Sequence, residues 1–122
     1  MGDNMRTIIA GSRDIIDYDL LLQAIEKLDW SITSIISGTA RGVDKLGELY
    51  AGRNNIPLEK FPAKWDLYGK KAGFIRNYEM AQNADALLVL WDGKSRGTKN
   101  MIEQAEKKNL YIYKGGKDEI SV

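Results

Sequence analysis

Ala86-Leu87-Leu88-Val89-Leu90-Trp91 is the longest unbroken apolar run in the chain. A strand exposed on one face would alternate apolar and polar residues, and this one does not. Continuous apolarity over six residues suits a strand of a parallel sheet, buried on both faces. The run stops at Asp92-Gly93, and residues 97–109 then follow a helical pattern.

The same rhythm appears on either side. Thr7-Ile8-Ile9-Ala10 reads as a buried strand that stops at Gly11. Asp17 is placed to cap a helix carrying Leu20, Leu21, Ala24, Ile25 and Leu28 on one stripe. Ile32 to Ile36 is rich in β-branched residues and predicts the second strand. Gly42 to Asn54 predicts a helix with Val43, Leu46 and Tyr50 on one face. Residues 57–61 predict a third strand near an edge, residues 62–72 a loop, and Gly73 to Asn83 a helix. Leu110 to Tyr113 closes the pattern, with Lys114 to Val122 expected as a frayed tail. Strands alternating with helices imply right-handed βαβ units, and so a parallel sheet covered on both faces. The 122 residues fit one domain with a sizeable core.

Composition narrows the chemistry. There is no cysteine and no histidine. Thiolate nucleophiles, cysteine metal sites and imidazole bases are thereby excluded, and no metal site is expected. The net charge of +1 advertises neither nucleic acid nor membrane as a partner. Residues 1–5 lack a signal-peptide layout and no run is long enough to span a membrane, so a cytoplasmic location is expected.

In a sheet of this kind ligands bind outside the carboxyl ends of the strands. Three turns fall there. They are Gly11-Ser12-Arg13, Ser37-Gly38-Thr39-Ala40-Arg41-Gly42, and Asp92-Gly93-Lys94-Ser95-Arg96-Gly97-Thr98. Glycine permits close backbone approach, a helix start offers N–H groups to an anion, and Ser, Thr and Arg add donors. Turn chemistry alone would select the same residue types. Its recurrence after three strands favours a site for a phosphate-bearing ligand. Arg13, Arg41, Lys45, Lys94, Arg96 and Lys99 are expected to form a basic rim, unless they are ordinary solvated charges. Arg76 and Asn77 sit early in their helix, behind a loop carrying Trp65, Tyr68 and Lys70. Trp65 either stacks on a base or caps the core. Asp44 and Glu48, four residues apart, are candidates for acid–base work, as are Asp92 and Glu103. Each could equally be a partner for nearby cations.

Taken together, Ile9 to Arg13, Ser37 to Asp44, Phe61 to Trp65, Gly69 to Gly73, Arg76-Asn77 and Trp91 to Thr98 resemble the YspA-like branch of the SLOG superfamily. That superfamily also contains the LOG phosphoribohydrolases and the DNA-processing protein DprA. The resemblance covers roughly residues 7–113. It implies a Rossmann-like three-layer α/β/α sandwich with a mostly parallel sheet of about five strands. It implies a nucleotide or nucleotide-sugar ligand, ADP-ribose-like or a signalling nucleotide, held by a sensor, carrier or sequestering module. The expected binding residues are the three turns (Gly11, Ser12, Arg13; Ser37 to Gly42 with Asp44; Asp92, Gly93, Ser95, Gly97, Thr98), together with Trp65, Lys70, Arg76 and Asn77. It also implies a homo-oligomer.

The LOG enzymes carry P-G-G-x-G-T-x-x-E, with an Arg and the Glu as key catalytic residues. Here Gly97-Thr98 matches the G-T and Arg76 resembles the Arg, but Lys94-Ser95 replaces the first glycines and Met101 holds the Glu position. A thioether can neither act as a base nor stabilise a developing cation. Binding is therefore expected over cleavage, with a LOG-like hydrolase as the alternative. The turn at 37–44 also resembles a DprA stretch that binds single-stranded DNA, which gives a second alternative.

Overall fold

The computed structural model describes residues 4–116. Strand β1 (Arg6–Gly11) lies at the middle of a five-stranded sheet with the order β3-β2-β1-β4-β5. The others are β2 (Ser34–Ser37), β3 (Leu58–Lys60), β4 (Ala86–Trp91) and β5 (Tyr111–Gly116). Every pairing is parallel. This is a Rossmann-like α/β fold, as expected.

The strands sort their side chains by parity, because successive Cβ atoms point to opposite faces. On one face Ile8, Ala10, Leu87 and Val89 pack against α4 (Ala72–Asn83) and α5 (Arg96–Lys107) through Met80, Ala81, Met101 and Ala105. On the other, Ile9, Leu88 and Leu90 pack against α1 (Tyr18–Glu26) and α2 (Val43–Arg53) through Leu21, Ala24, Val43 and Leu46. Burying each large aliphatic side chain contributes about 1.5–3 kcal/mol, so a run such as Leu87 to Leu90 can only be interior. The Asp17 carboxylate caps α1 by accepting from the Asp19 amide at 2.9 Å.

Two expectations need correction. Residues 62–72 are not all loop. The Tyr68 amide donates to the Lys64 carbonyl at 2.9 Å, closing a one-turn helix α3 (Trp65–Tyr68), and a 3₁₀ turn over Gly69–Lys71 follows. Lys114, Gly115 and Gly116 are not frayed: they extend β5 and pair with Val89, Leu90 and Trp91. Position 116 suits glycine, because its φ is 103° and a Cβ would fall 2.8 Å from the Trp91 amide nitrogen. The rest of that tail lies outside the described residues. Among the described residues no helix is long and apolar enough to cross a membrane.

Candidate functional site

The strand order reverses between β1 and β4, and the ends of these two strands are sewn together there. The Ser12 amide donates to the Leu90 carbonyl at 3.0 Å, and the Ser12 hydroxyl accepts from the Asp92 amide at 2.9 Å. Buried Ser12 is therefore part of the frame. Arg13, next along, is exposed and reaches the crevice outside the strand ends.

The turn between β2 and α2 satisfies itself. The Thr39 amide donates to the Ser37 hydroxyl at 3.0 Å, the Ala40 amide to the Asp44 carboxylate at 3.1 Å, and the Val43 amide to the Ser12 carbonyl at 3.3 Å. Gly42 caps α2 with φ of 79°, and a Cβ there would meet the Ser12 and Arg13 carbonyls. The Ser37 hydroxyl donates to Glu48 at 2.7 Å, and Lys45 approaches Glu48 at 3.4 Å. Three amides expected to cradle a phosphate are thus committed inside the protein. What this turn offers to the crevice is Gly38, Thr39, Ala40, the Arg41 side chain and the Asp44 carboxyl.

Helix α4 supplies the opposite wall. Gly73, Arg76, Asn77 and Met80 face the crevice at spacings of three and four, one face of a helix. The Arg76 guanidinium donates to the Gly38 carbonyl, to the Phe61 carbonyl at 3.4 Å, and through Nε to Asn77 at 3.0 Å. Burial and nearby Arg13 hold its pKa below the usual value, while Asp44 pulls it back up. Asn77 donates to the Gly97 carbonyl at 3.1 Å and to Asn100 at 3.0 Å, fixing α4 to the start of α5.

At that start, the Ser95 hydroxyl caps α5 by accepting from the Thr98 amide at 3.3 Å. Asp92 does not face the crevice. Its carboxylate accepts from the Lys94 and Ser95 amides at 2.8 and 3.0 Å, and those bonds hold its pKa below the usual range.

The result is a cavity of about 230 Å³ outside the ends of β1 and β4. The first turns of α2, α4 and α5 border it. Helix N-termini carry partial positive charge. Those of α4 and α5 have no acidic residue in their first turn, whereas α2 has Asp44. A second cavity of about 450 Å³ adjoins the first and shares Arg13, Ala40, Trp65 and Arg76 with it. Arg13, Lys70, Arg76 and Arg41 line the pair, against one carboxyl group, Asp44. Asp44 is 5% exposed, and burial pushes its pKa up to about 6 against the pull of the Ala40 amide and Arg76. Trp65 and Phe74 present half-exposed rings at the rim.

Most of the expected binding residues come together here: Gly11, Arg13, Ala40, Asp44, Trp65, Lys70, Arg76, Asn77, Ser95, Gly97 and Thr98 around the first cavity, and Gly38, Thr39 and Arg41 around the second. Ser12, Ser37, Gly42, Asp92 and Gly93 are not on either lining; the first four have framework contacts instead. Of the acid–base candidates only Asp44 faces the cavity; Glu48 is bound to Ser37, and Glu103 is exposed on α5 away from both linings. The rim also lacks Lys45, Lys94, Arg96 and Lys99, which are exposed elsewhere, and Tyr68. Trp65 is too exposed, at 51%, to cap the core. Gly73, Phe74 and Met80 were not expected at the site; helical spacing from Arg76 and Asn77 would have found Gly73 and Met80. Met101, which the LOG resemblance sets at the glutamate position, lies in the cavity wall and is 1% exposed. Among the described residues no group of three or more metal-capable side chains occurs.

The pattern of the YAcAr family, described as YspA, cpYpsA-related SLOG family, matches residues 5–68. Gene 61 protein of Mycobacterium phage D29 is 32% identical over 121 residues, covering 91% of this chain and 96% of that protein. No solved structure matches significantly. The matched residues carry β1, β2, β3 and the turns after the first two, and the chain belongs to the YspA, cpYpsA-related SLOG family.

Proposed function

We propose that this protein binds a phosphate-bearing nucleotide derivative in the crevice outside the ends of β1 and β4, as a sensor, carrier or sequestering module. One observation carries the reading. Arg13, Arg76 and the unneutralised N-termini of α4 and α5 converge on one cavity whose rim holds two half-exposed aromatic rings. Cations and helix ends suit a phosphate, and the rings suit a base. Family membership supports a nucleotide-related ligand. Titration calorimetry against AMP, ADP-ribose, NAD and cyclic nucleotides tests it. Submillimolar binding to at least one is expected, and heat of dilution alone across the panel defeats the reading.

Asp44 favours a second reading, a nucleotide hydrolase. It is the carboxyl group on the cavity wall, and its pKa of about 6 suits proton transfer near neutrality. Release of free base from nucleoside monophosphates, abolished by Asp44→Asn, would promote hydrolysis over simple binding. Met101 argues against a LOG-type reaction, since it leaves no carboxylate at the corresponding position.

A further inference from the structure

The two adjoining cavities differ in chemistry, and their common wall is the most cationic part of the site. The smaller one carries the apolar side chains of Met80 and Met101 on its wall beside Asp44, Asn77 and Thr98, with Phe74 at its rim. The larger one is bounded by Pro62, Ala63 and Arg41. Arg13, Arg76 and Trp65 belong to both. At about 230 Å³ the smaller cavity falls short of the roughly 300 Å³ at which small-molecule pockets begin, whereas the two together lie well inside the usual range.

Arg13 and Arg76 are close enough that Arg13 depresses the Arg76 pKa. Two like charges facing one space repel unless an anion lies between them. Arg76 is anchored by the Gly38 and Phe61 carbonyls, but the side chains of Arg13 and Arg41 have no hydrogen-bond or ion-pair partner among the described residues. Two unpartnered guanidinium groups thus flank the shared wall, one on it and one beyond it.

We infer that the ligand is bipartite, which rests on the nucleotide reading above. An aromatic base occupies the small cavity against Phe74 and Trp65. A bridging diphosphate lies across Arg13 and Arg76. A second polar group, of the sugar or sugar-phosphate kind, enters the large cavity, where Arg41 selects it. Arg41 is then a specificity residue for the distal half of the ligand. A mononucleotide fills only one side of the shared wall.

Calorimetry with AMP and ADP-ribose as the two probes tests this division in the native protein and in Arg41→Ala. Arg41 is exposed and makes no framework contact, so the variant retains the fold, checked by its thermal transition. ADP-ribose is expected to bind at least about tenfold more tightly than AMP, as one added charge-assisted contact permits, and Arg41→Ala is expected to erase most of that advantage. Equal affinity for the two probes, or an Arg41→Ala loss that is the same for both, overturns the bipartite ligand while leaving the nucleotide reading in place. Failure of both probes, and of every other nucleotide in the wider panel, to bind overturns both.

Discussion

The guanidinium of Arg76, on α4, donates to the backbone carbonyl of Gly38, at the carboxyl end of β2. This bond joins residues 38 apart in sequence and sets the width of the crevice. It also explains why Gly38 has no side chain: a Cβ there would lie 2.7 Å from Arg76 Nη1 and 2.9 Å from Asp44 Oδ2. Arg76 consequently holds the wall as well as offering charge to a ligand.

Arg76→Ala should therefore lower both stability and affinity. Removing a charged donor from the Gly38 and Phe61 carbonyls costs about 1.5–3 kcal/mol in urea denaturation. Arg76→Lys separates the two roles. It keeps the charge and loses the fork, so it should recover part of the nucleotide affinity and little of the stability. Full recovery of stability by Lys would show that the carbonyl contacts matter less than the charge.

Three glycines of the site should respond to alanine in a graded order. At Gly11 the new Cβ would fall 2.0 Å from the Leu90 carbonyl oxygen, which is backbone of the central sheet and cannot yield. Gly11→Ala should prevent folding or destabilise by several kcal/mol, well above the roughly 1–3 kcal/mol of ordinary overpacking. Gly38→Ala meets the end of the Arg76 side chain, which can move, and should fall within that range. Gly97 lies within α5 with nothing within 4 Å of a built Cβ, so Gly97→Ala should stabilise by about 0.4–1 kcal/mol. Because Gly97 lines the cavity, the same substitution should weaken nucleotide binding. Chemical denaturation and calorimetry on the three variants check the order.

Trp65→Ala should lower affinity without the loss of stability expected of Arg76→Ala. At 51% exposure Trp65 contributes little to the core, so stability should move by no more than about 0.5 kcal/mol. If the ring stacks on a base, affinity should fall by about 1–3 kcal/mol. Unchanged affinity would remove the aromatic platform from the site.

The framework of this site was open to a reader of the sequence, and its inner bonding was not. Ala86 to Trp91 announces a doubly buried strand because every residue in it is apolar, and the turn after it then has to lie at the ligand-binding end of the sheet. The partners of the Thr39 and Ala40 amides lie within four residues, but a self-satisfied turn and an open phosphate turn use the same residue types. Both amides sit in a Gly-rich turn that looks open to phosphate, yet Ser37 and Asp44 occupy them once α2 folds back. Asp92 misled for the same reason: its short-range bonds to Lys94 and Ser95 shape the loop and turn it from the cavity. Lys114, Gly115 and Gly116 read as part of a frayed end because chain termini are poorly ordered unless tied down, but β4 runs on to Trp91 and offers them a ladder.

Asp44 sets a pH dependence of definite sign. Its folded pKa of about 6 stands above the ordinary 3.8, chiefly through burial. Between those values the folded protein holds a proton that the unfolded chain has released, so the Asp44 contribution to stability falls as pH rises through that window and levels off above it. A difference of about two pKa units corresponds to about 3 kcal/mol. Asp85 works in the opposite direction: the hydrogen bond from Arg6 lowers its pKa, so its stabilisation fades as pH falls. Asp92, held low by the Lys94 and Ser95 amides, acts in the same direction as Asp85, so the informative quantity is the difference between native protein and Asp44→Asn, in which both cancel. Asparagine keeps an acceptor for the Ala40 amide and cannot ionise. The variant should match the native protein near pH 4 and exceed it increasingly towards pH 7, with most of the change between pH 4 and about 6. A nucleotide phosphate in the cavity would add negative charge beside Asp44 and favour its protonated form, so saturating ligand should move the upper edge of that window to higher pH. A difference curve that stays flat from pH 4 to 7 would mean that Asp44 is charged throughout, held so by the Ala40 amide and Arg76.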